Sequence, residues 1–452
     1  MKLFDLVIEV LLAIFLYVLA PLAFDSAICI GYMLLYAYQL YRLFRLQKTD
    51  KGWLSFNTLF FVMLTLVTYL MPILYLMDLN SQILTVISYD ERYVSKSLFL
   101  TSIAVTCYKM GYFKGENKSG KESTLLSVKS INRILRINKI FILIALITFL
   151  GSYSVALASG KRDISGLVVT LINCIFIFSI ILSGYSNKVF RLSLMAFLVH
   201  HRFLYLCTFF IVVSMLVMGD RYTPICLAVT TLFIINRFVH RFTSIEFVCL
   251  LSVGFMVLVG VSLTRDTTDK KDALNQERDF VVYFQDIIPI NLDFYLGLEW
   301  KEKNGYFKPA RFFQIATYPI PFLPTIITDG IFDGNVSSGV QLTEYNRIQT
   351  NTNDESGIGT HAIVDIYMSW GIMGIIILFY LFGFFVGTSS KKSNSLYYLF
   401  IYGCFVSRAI YIPRETLFTP YRDIVYLLIF ASIIIHKKRM KNEKQRISDQ
   451  TI

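Results

Sequence analysis

The sequence predicts an all-α protein, a polytopic transmembrane helical bundle of about 12 spans with one large extracytoplasmic loop. Three observations predict it. Hydrophobic residues make up 55% of the 452-residue chain, charged residues only 16%, and mean hydropathy is +0.57. A soluble domain carries about 25% charged residues. Apolar runs of about 20 residues recur, each long enough to cross a ~30 Å hydrocarbon core. Lipid offers the backbone no hydrogen-bond partners, so runs without polar/apolar alternation must be helices rather than barrel strands. Finally, a single polar stretch, residues 264–360, holds 97 positions without an apolar span.

The spans fall at about 3–22, 24–44, 56–77, 96–113, 139–158, 165–184, 203–219, 222–238, 244–263, 361–387, 394–412 and 420–436. The chain thus divides into a bundle of nine spans (1–263), the large loop (264–360), three further spans (361–436) and a basic tail (437–452). The first two spans are separated only by Pro21 to Ala23. The stretch 186–202, where Lys188, Arg191, His200, His201 and Arg202 frame Leu192 to Val199, reads either as an interfacial helix or as the start of a long tilted one.

Orientation follows from the basic residues. With both termini cytoplasmic, Lys2 and the segments 42–54, 109–139, 185–202, 237–243, 388–393 and 437–452 hold 26 of the 43 Lys and Arg residues. The large loop holds 9 basic against 14 acidic residues. This is the positive-inside pattern, and it puts the loop outside. The net charge of +12 is therefore a topology signal, and no soluble basic domain exists to bind nucleic acid. The N-terminal apolar run has no small-residue cleavage site and reads as an uncleaved span.

Other classes fit poorly. All seven cysteines fall within spans, so the loop has no disulfide, and no Cys-x-x-Cys or His-rich metal spacing occurs. No phosphate-cradling Walker sequence is present, and no repeat divides the spans into two halves as in many transporters. Mid-span charges are scarce, unlike in ion-coupled carriers. Asp5 and Glu9, one turn apart, are expected to reach the interface rather than form a relay.

The charges that carry chemistry gather where spans meet the outer face. Gly219-Asp220-Arg221 turns between two spans, Thr264-Arg265-Asp266 closes the ninth, Arg408 lies just inside the eleventh, and Pro413-Arg414-Glu415 with Arg422 makes the last outer turn. Arg presents a planar fork that binds pyrophosphate bidentately and never deprotonates. Each of these residues would equally suit snorkelling to lipid headgroups. Within the loop, 280–300 reads as an aromatic-rich helix lying on the membrane surface, where Tyr295 and Trp300 either anchor in the headgroups or stack on sugars. Tyr318-Pro-Ile-Pro-Phe-Leu-Pro324 is unlike a helix, and 329–357 is rich in turn residues. Where the loop re-enters, Glu355-Ser-Gly-Ile-Gly-Thr-His361 leads into span ten. Asp365, four residues on, would share a helix face with His361 and orient its imidazole as a general base. The other reading is a helix start capped by Thr360. Trp370-Gly-Ile-Met-Gly374 reads as a close-packing pattern.

These elements resemble Wzy-type O-antigen polymerases. The likeness rests on the Gly219/Arg221 turn, Arg265, the Pro-rich loop segment, Glu355-Ser-Gly-Ile-Gly before a Gly-x-x-Gly span, and Arg414-Glu415 followed by Arg422. Local likeness extends to the enterobacterial common antigen polymerase, and the resemblance covers about residues 200–436. The Arg-x10-Gly repeats of some members are not present: after Arg347, glycines fall at 357 and 359.

The resemblance implies a GT-C-like membrane glycosyltransferase of the bacterial inner membrane that uses neither cofactor nor metal. It would move the growing glycan from undecaprenyl pyrophosphate to an incoming lipid-linked repeat unit at the periplasmic face. Its partners would be those lipid-linked oligosaccharides, membrane lipids and a chain-length regulator. In that scheme Arg221, Arg265, Arg408, Arg414, Glu415 and Arg422 hold the pyrophosphate, and His361, Glu355 or Asp365 takes the acceptor proton. The competing classes are a lipid-linked oligosaccharide flippase, an O-antigen ligase, a sugar acyltransferase and a channel.

Overall fold

A computed structural model describes residues 3–48, 52–79, 90–118, 127–158, 166–265, 287–306, 320, 323, 338–351 and 359–433. These are all-helical, with no strand among them. In chain order the helices are α1 (Leu3–Leu19), α2 (Ser26–Leu46), α3 (Phe56–Leu76), α4 (Arg92–Glu116), α5 (Val128–Ala158), α6 (Gly166–Phe190), α7 (Leu194–His200), α8 (Arg202–Val217), α9 (Tyr222–Phe238) and α10 (Ser244–Arg265). After these come α11 (Ile288–Asn304), α12 (Ser338–Thr350), α13 (Ala362–Lys392), α14 (Leu396–Arg408), a 3-10 turn (Ile412–Arg414) and α15 (419–433). Four of them (α3, α5, α6 and α13) are long and apolar enough to cross a membrane, and α7 with α8 makes a fifth if the bent pair is one span.

The most extensive helix contact is between α4 and α13. It is built from two glycine pairs at i, i+4 that face one another. A Cβ on Gly111 would lie 1.9 Å from the Tyr380 carbonyl oxygen, and one on Gly115 would lie 2.3 Å from that of Phe384. Reciprocally, Gly383 and Gly387 face the carbonyl oxygens of Tyr108 and Tyr112 at 2.1 and 2.2 Å. Both helices advance along the same contact in the same direction, so they cross in parallel with their backbones touching. In lipid, where helices gain nothing from leaving water, such close van der Waals approach is a principal source of helix association.

Several sequence expectations change here. The Trp370 to Gly374 segment is a kink rather than the close-packing site: Gly371 has φ 63° and ψ −157°, which lets the head of α13 (Ala362 to Trp370) turn away from its remainder. The aromatic helix expected to lie on the membrane surface is α11. Every residue from Ile290 to Glu299 is buried, because α3, α4 and α13 pack around it. Tyr295 is therefore a core residue, not a headgroup anchor. Glu9 does not reach an interface either. It is fully buried, and both its oxygens lie 2.6 Å from Lys109 Nζ on α4, while Asp5 pairs with Arg42 at 2.6 Å. The 186–202 stretch resolves into the end of α6, a reversal at Arg191 (φ 52°) and the short α7, which meets α8 at 82°. The Pro-rich segment lies outside the described residues apart from Ile320 and Leu323.

Gly383→Ala, a change of one methyl group, should cost about 1–3 kcal/mol because neither carbonyl-bearing backbone can yield without separating the helices. Unfolding of the purified protein in detergent measures it, with Gly151→Ala, which meets nothing within 4 Å, as the neutral comparison. Equal stability of the two variants would contradict a backbone-to-backbone crossing.

Candidate functional site

One end of the bundle collects the N-termini of α4, α6, α9, α13 and α15 with the C-termini of α3 and α14. Two polar clusters lie there. The first is centred on Arg408, whose side chain is 1% exposed. Its Nε donates to Asp423 Oδ2 at 2.7 Å and its Nη2 lies 2.5 Å from the same oxygen. Nη1 donates to Cys226 Sγ at 2.8 Å. The Asn173 amide, oriented with its oxygen toward the guanidinium, accepts from Nη1 at 3.2 Å and Nη2 at 3.1 Å. The Tyr222 ring stacks 4.4 Å below. All five N–H donors of a guanidinium are thereby used. This corrects the expectation for Arg408: with no donor left, it braces α6, α9, α14 and α15 and has no fork to offer a phosphate.

Around this brace stand the others. Arg422, with 37% of its side chain exposed, donates from Nη2 to Thr170 Oγ1 at 2.9 Å and holds Nε 3.8 Å from the second Asp423 oxygen. Arg414 lies 5.6 Å from the Tyr411 ring centroid, and its guanidinium makes no hydrogen bond among the described residues. Tyr411 ties the turn to α9: its hydroxyl donates to the Arg221 carbonyl at 2.9 Å, and its ring meets Tyr222 edge-on at 4.5 Å. Gly219 (φ 85°) turns the chain, Asp220 Oδ1 accepts from the Tyr222 N–H at 2.8 Å, and half-buried Arg221 follows. Glu415 accepts from Thr419 Oγ1 at 2.9 Å. Burial pushes its carboxyl above the usual carboxylate range, against the pull of Thr419, Arg408 and Arg414. The fold thus gathers Arg221, Arg408, Arg414, Glu415 and Arg422. Arg265 ends α10, and Glu355 lies outside the described residues.

The second cluster is the head of α13. His361 is its N-cap, with extended backbone (φ −108°, ψ 132°), and its Nδ1 accepts from the Ile363 N–H at 3.2 Å. The ring proton therefore sits on Nε2, which donates to Thr68 Oγ1 at 3.1 Å. The ring stacks on Phe294 with centroids 4.3 Å apart, and the residue is 0% exposed. Asp365 Oδ1 lies 2.7 Å from Ser338 Oγ, itself 3.1 Å from Thr360 Oγ1. The expected His361–Asp365 pair is not formed, for a definite reason. The i, i+4 rule applies when both residues are helical, and His361 precedes the helix and folds back over its first turn. An imidazole whose lone pair accepts a backbone N–H is not placed to take a substrate proton.

Asp293, which sequence reasoning missed, lies beside it. It is 0% exposed on α11, and among the described residues neither carboxyl oxygen has a hydrogen-bond partner. One oxygen faces Gly359, 3.8 Å from where a Cβ would stand. Burial alone holds this carboxyl well above the usual carboxylate range. Native structures seldom leave such a group unpaired outside a functional role. Its signal in the sequence is an acidic residue inside the apolar run Ile288-Pro-Ile-Asn-Leu-Asp-Phe-Tyr-Leu. The two clusters are joined, since the 3-10 turn carrying Arg414 packs against both α3 and α13 and Trp370 meets Phe418 at 6.4 Å.

The chain matches no model of a known protein family, no curated protein and no solved structure.

Because folding raises the Asp293 pKa, the fold favours the protonated form. Its contribution is fully present below the unfolded value of about 3.9 and is lost as pH rises toward the folded pKa. Asp293→Asn should therefore leave stability at pH 7 equal or higher, and flatten its decline with pH. A variant less stable than the parent at pH 7 would mean that the carboxylate is paired and structural.

Proposed function

We propose that this protein is a polymerase of lipid-linked oligosaccharide repeat units. It would transfer the growing glycan from undecaprenyl pyrophosphate to the incoming unit at the periplasmic face of a bacterial inner membrane, through a bundle of about 12 spans with both termini cytoplasmic. The observation that carries this reading is the Arg414 guanidinium, which makes no hydrogen bond among the described residues, standing with Arg422 and Arg221 around the Arg408–Asp423 brace and joined through the 3-10 turn to the head of α13.

Such a transfer expels a pyrophosphate and needs a base for the acceptor hydroxyl. Arg414 and Arg422 would take the developing negative charge bidentately, which costs no reorganisation when the brace has already positioned them. Arg221 adds charge from the α9 side. Asp293, in its ionised form, would accept the hydroxyl proton in place of His361, which instead fixes the helix start against Phe294 and Thr68. Glu415 holds the Thr419 hydroxyl at the start of α15. Arg265 and Glu355 remain candidates from the sequence resemblance.

Deleting the gene should leave lipid A core bearing one repeat unit, since a ligase still accepts a single unit. Loss of all attached glycan would point to the flippase or ligase reading. Complementation with Arg414→Lys or Arg422→Lys should fail to restore long chains at normal protein level, because Lys keeps the charge and loses the planar fork. Wild-type chain lengths from both would remove these residues from the chemistry.

A further inference from the structure

The far end of α6 borders a different site. A cavity of about 320 Å³ opens between α5, α6 and α8, lined among others by Arg136, Lys139, His200, His201, Asn138 and Ser179. Among the described residues no acidic side chain lines it. The volume is about ten times the ~30 Å³ share of a water molecule. Its floor is built rather than incidental. Asn138 (3% exposed) accepts from Ser179 Oγ at 3.0 Å, and buried His201 holds its Nε2 3.2 Å from Ser186 Oγ. Arg136 and Lys139, both exposed, stand one turn apart at the rim on α5.

The surroundings are apolar. Just beyond the rim, α5 exposes Ile140, Leu143, Ile144 and Ile147, and α8 exposes Leu206, Phe209 and Phe210. The short α7, at 82° to α8, exposes Met195 and Val199 on a helix that ends at His200. A crosswise helix with bare apolar side chains marks the level where hydrocarbon gives way to headgroups.

We propose that this cavity binds the phosphate of an anionic membrane phospholipid, with acyl chains along the exposed faces of α5 and α8. Cations at the rim offset the phosphate charge, and the Asn138 amide, whose oxygen is held by Ser179, bonds a phosphate oxygen below them through its N–H groups. Basic pockets between membrane helices suit such headgroups on general grounds. A free phosphate shares the ionic chemistry but gains nothing from the apolar faces. The site lies at the opposite end of α6 from Arg422 and Thr170, so it stands apart from the proposed polymerase chemistry.

The test uses the full-length protein in detergent, reading thermal unfolding and native mass spectra. Phosphatidylglycerol, phosphatidylcholine and inorganic phosphate are titrated in turn. Phosphatidylglycerol should raise the melting temperature and remain bound in the gas phase, phosphatidylcholine should do so weakly, and inorganic phosphate not at all. Arg136→Gln with Lys139→Gln should weaken phosphatidylglycerol roughly tenfold or more without changing the lipid-free melting temperature. If that pair fails to fold, Lys139→Gln alone reads the same comparison. Equal response to both lipids, or indifference to the substitutions, would overturn the site. A shift by inorganic phosphate equal to that by phosphatidylglycerol would overturn the lipid as its occupant.

Discussion

The parallel crossing of α4 and α13, held at backbone contact by Gly111, Gly115, Gly383 and Gly387, fixes where the other elements stand. Below the kink at Gly371 the two helices are locked together. Above it, the head of α13 turns aside and α11 enters the space it opens, against α3, α4 and α13. Gly297 on α11 allows that approach, since a Cβ there would lie 2.6 Å from Val364. The N-terminal part of α4 secures the same helix with charge: Lys96 pairs with Glu302, and the Tyr93 hydroxyl donates to Glu302 at 2.9 Å. The position of Asp293 therefore descends from a contact many residues away. A bulkier residue at the crossing would displace Asp293 as well as the helices that touch there.

Several buried polar groups of this apolar bundle are linked into connected sets. Glu9 and Lys109 pair at 2.6 Å, with Thr106 and Gln39 extending the network across α1, α2 and α4. Tyr108, Asn57 and Gln47 form a second chain of hydrogen bonds. Arg408 and Asp423 form the third, with every guanidinium donor occupied. Buried pairs of this kind add little net stability, because desolvation offsets much of the Coulomb attraction, yet losing one partner costs about 3–5 kcal/mol. They serve better to fix which helices meet. Among the described residues neither carboxyl oxygen of Asp293 has a hydrogen-bond partner and the Arg414 fork makes no hydrogen bond, and both lie at the same end of the bundle.

The sequence made part of this legible. Apolar runs gave the helical class directly, and Arg221, Arg408, Arg414 and Arg422 stand at one end of the bundle, because turns at one end have few places to go. What stayed hidden depended on partners distant in sequence. Arg408 looked like its neighbours, and only Asp423, Cys226 and Asn173 on three other helices reveal it as closed. His361 and Asp365 have helical spacing, but the helix begins one residue too late for the rule to apply. α11 resembled a surface helix since aromatic content alone does not tell headgroup from core. The four glycines of the crossing stood in plain view as two Gly-x-x-x-Gly pairs on α4 and α13, and their significance emerges only when the two helices are seen to face each other.

The central claim is that the fold holds arginine forks for a pyrophosphate rather than for headgroups in general. Binding of a short-chain polyprenyl pyrophosphate to the purified protein, compared with the matching polyprenol and monophosphate, tests it most directly. The account predicts that the pyrophosphate binds at least about tenfold more tightly than either, since two phosphates engage two arginine forks where a monophosphate engages one and the alcohol none. Equal binding of pyrophosphate and polyprenol would contradict it.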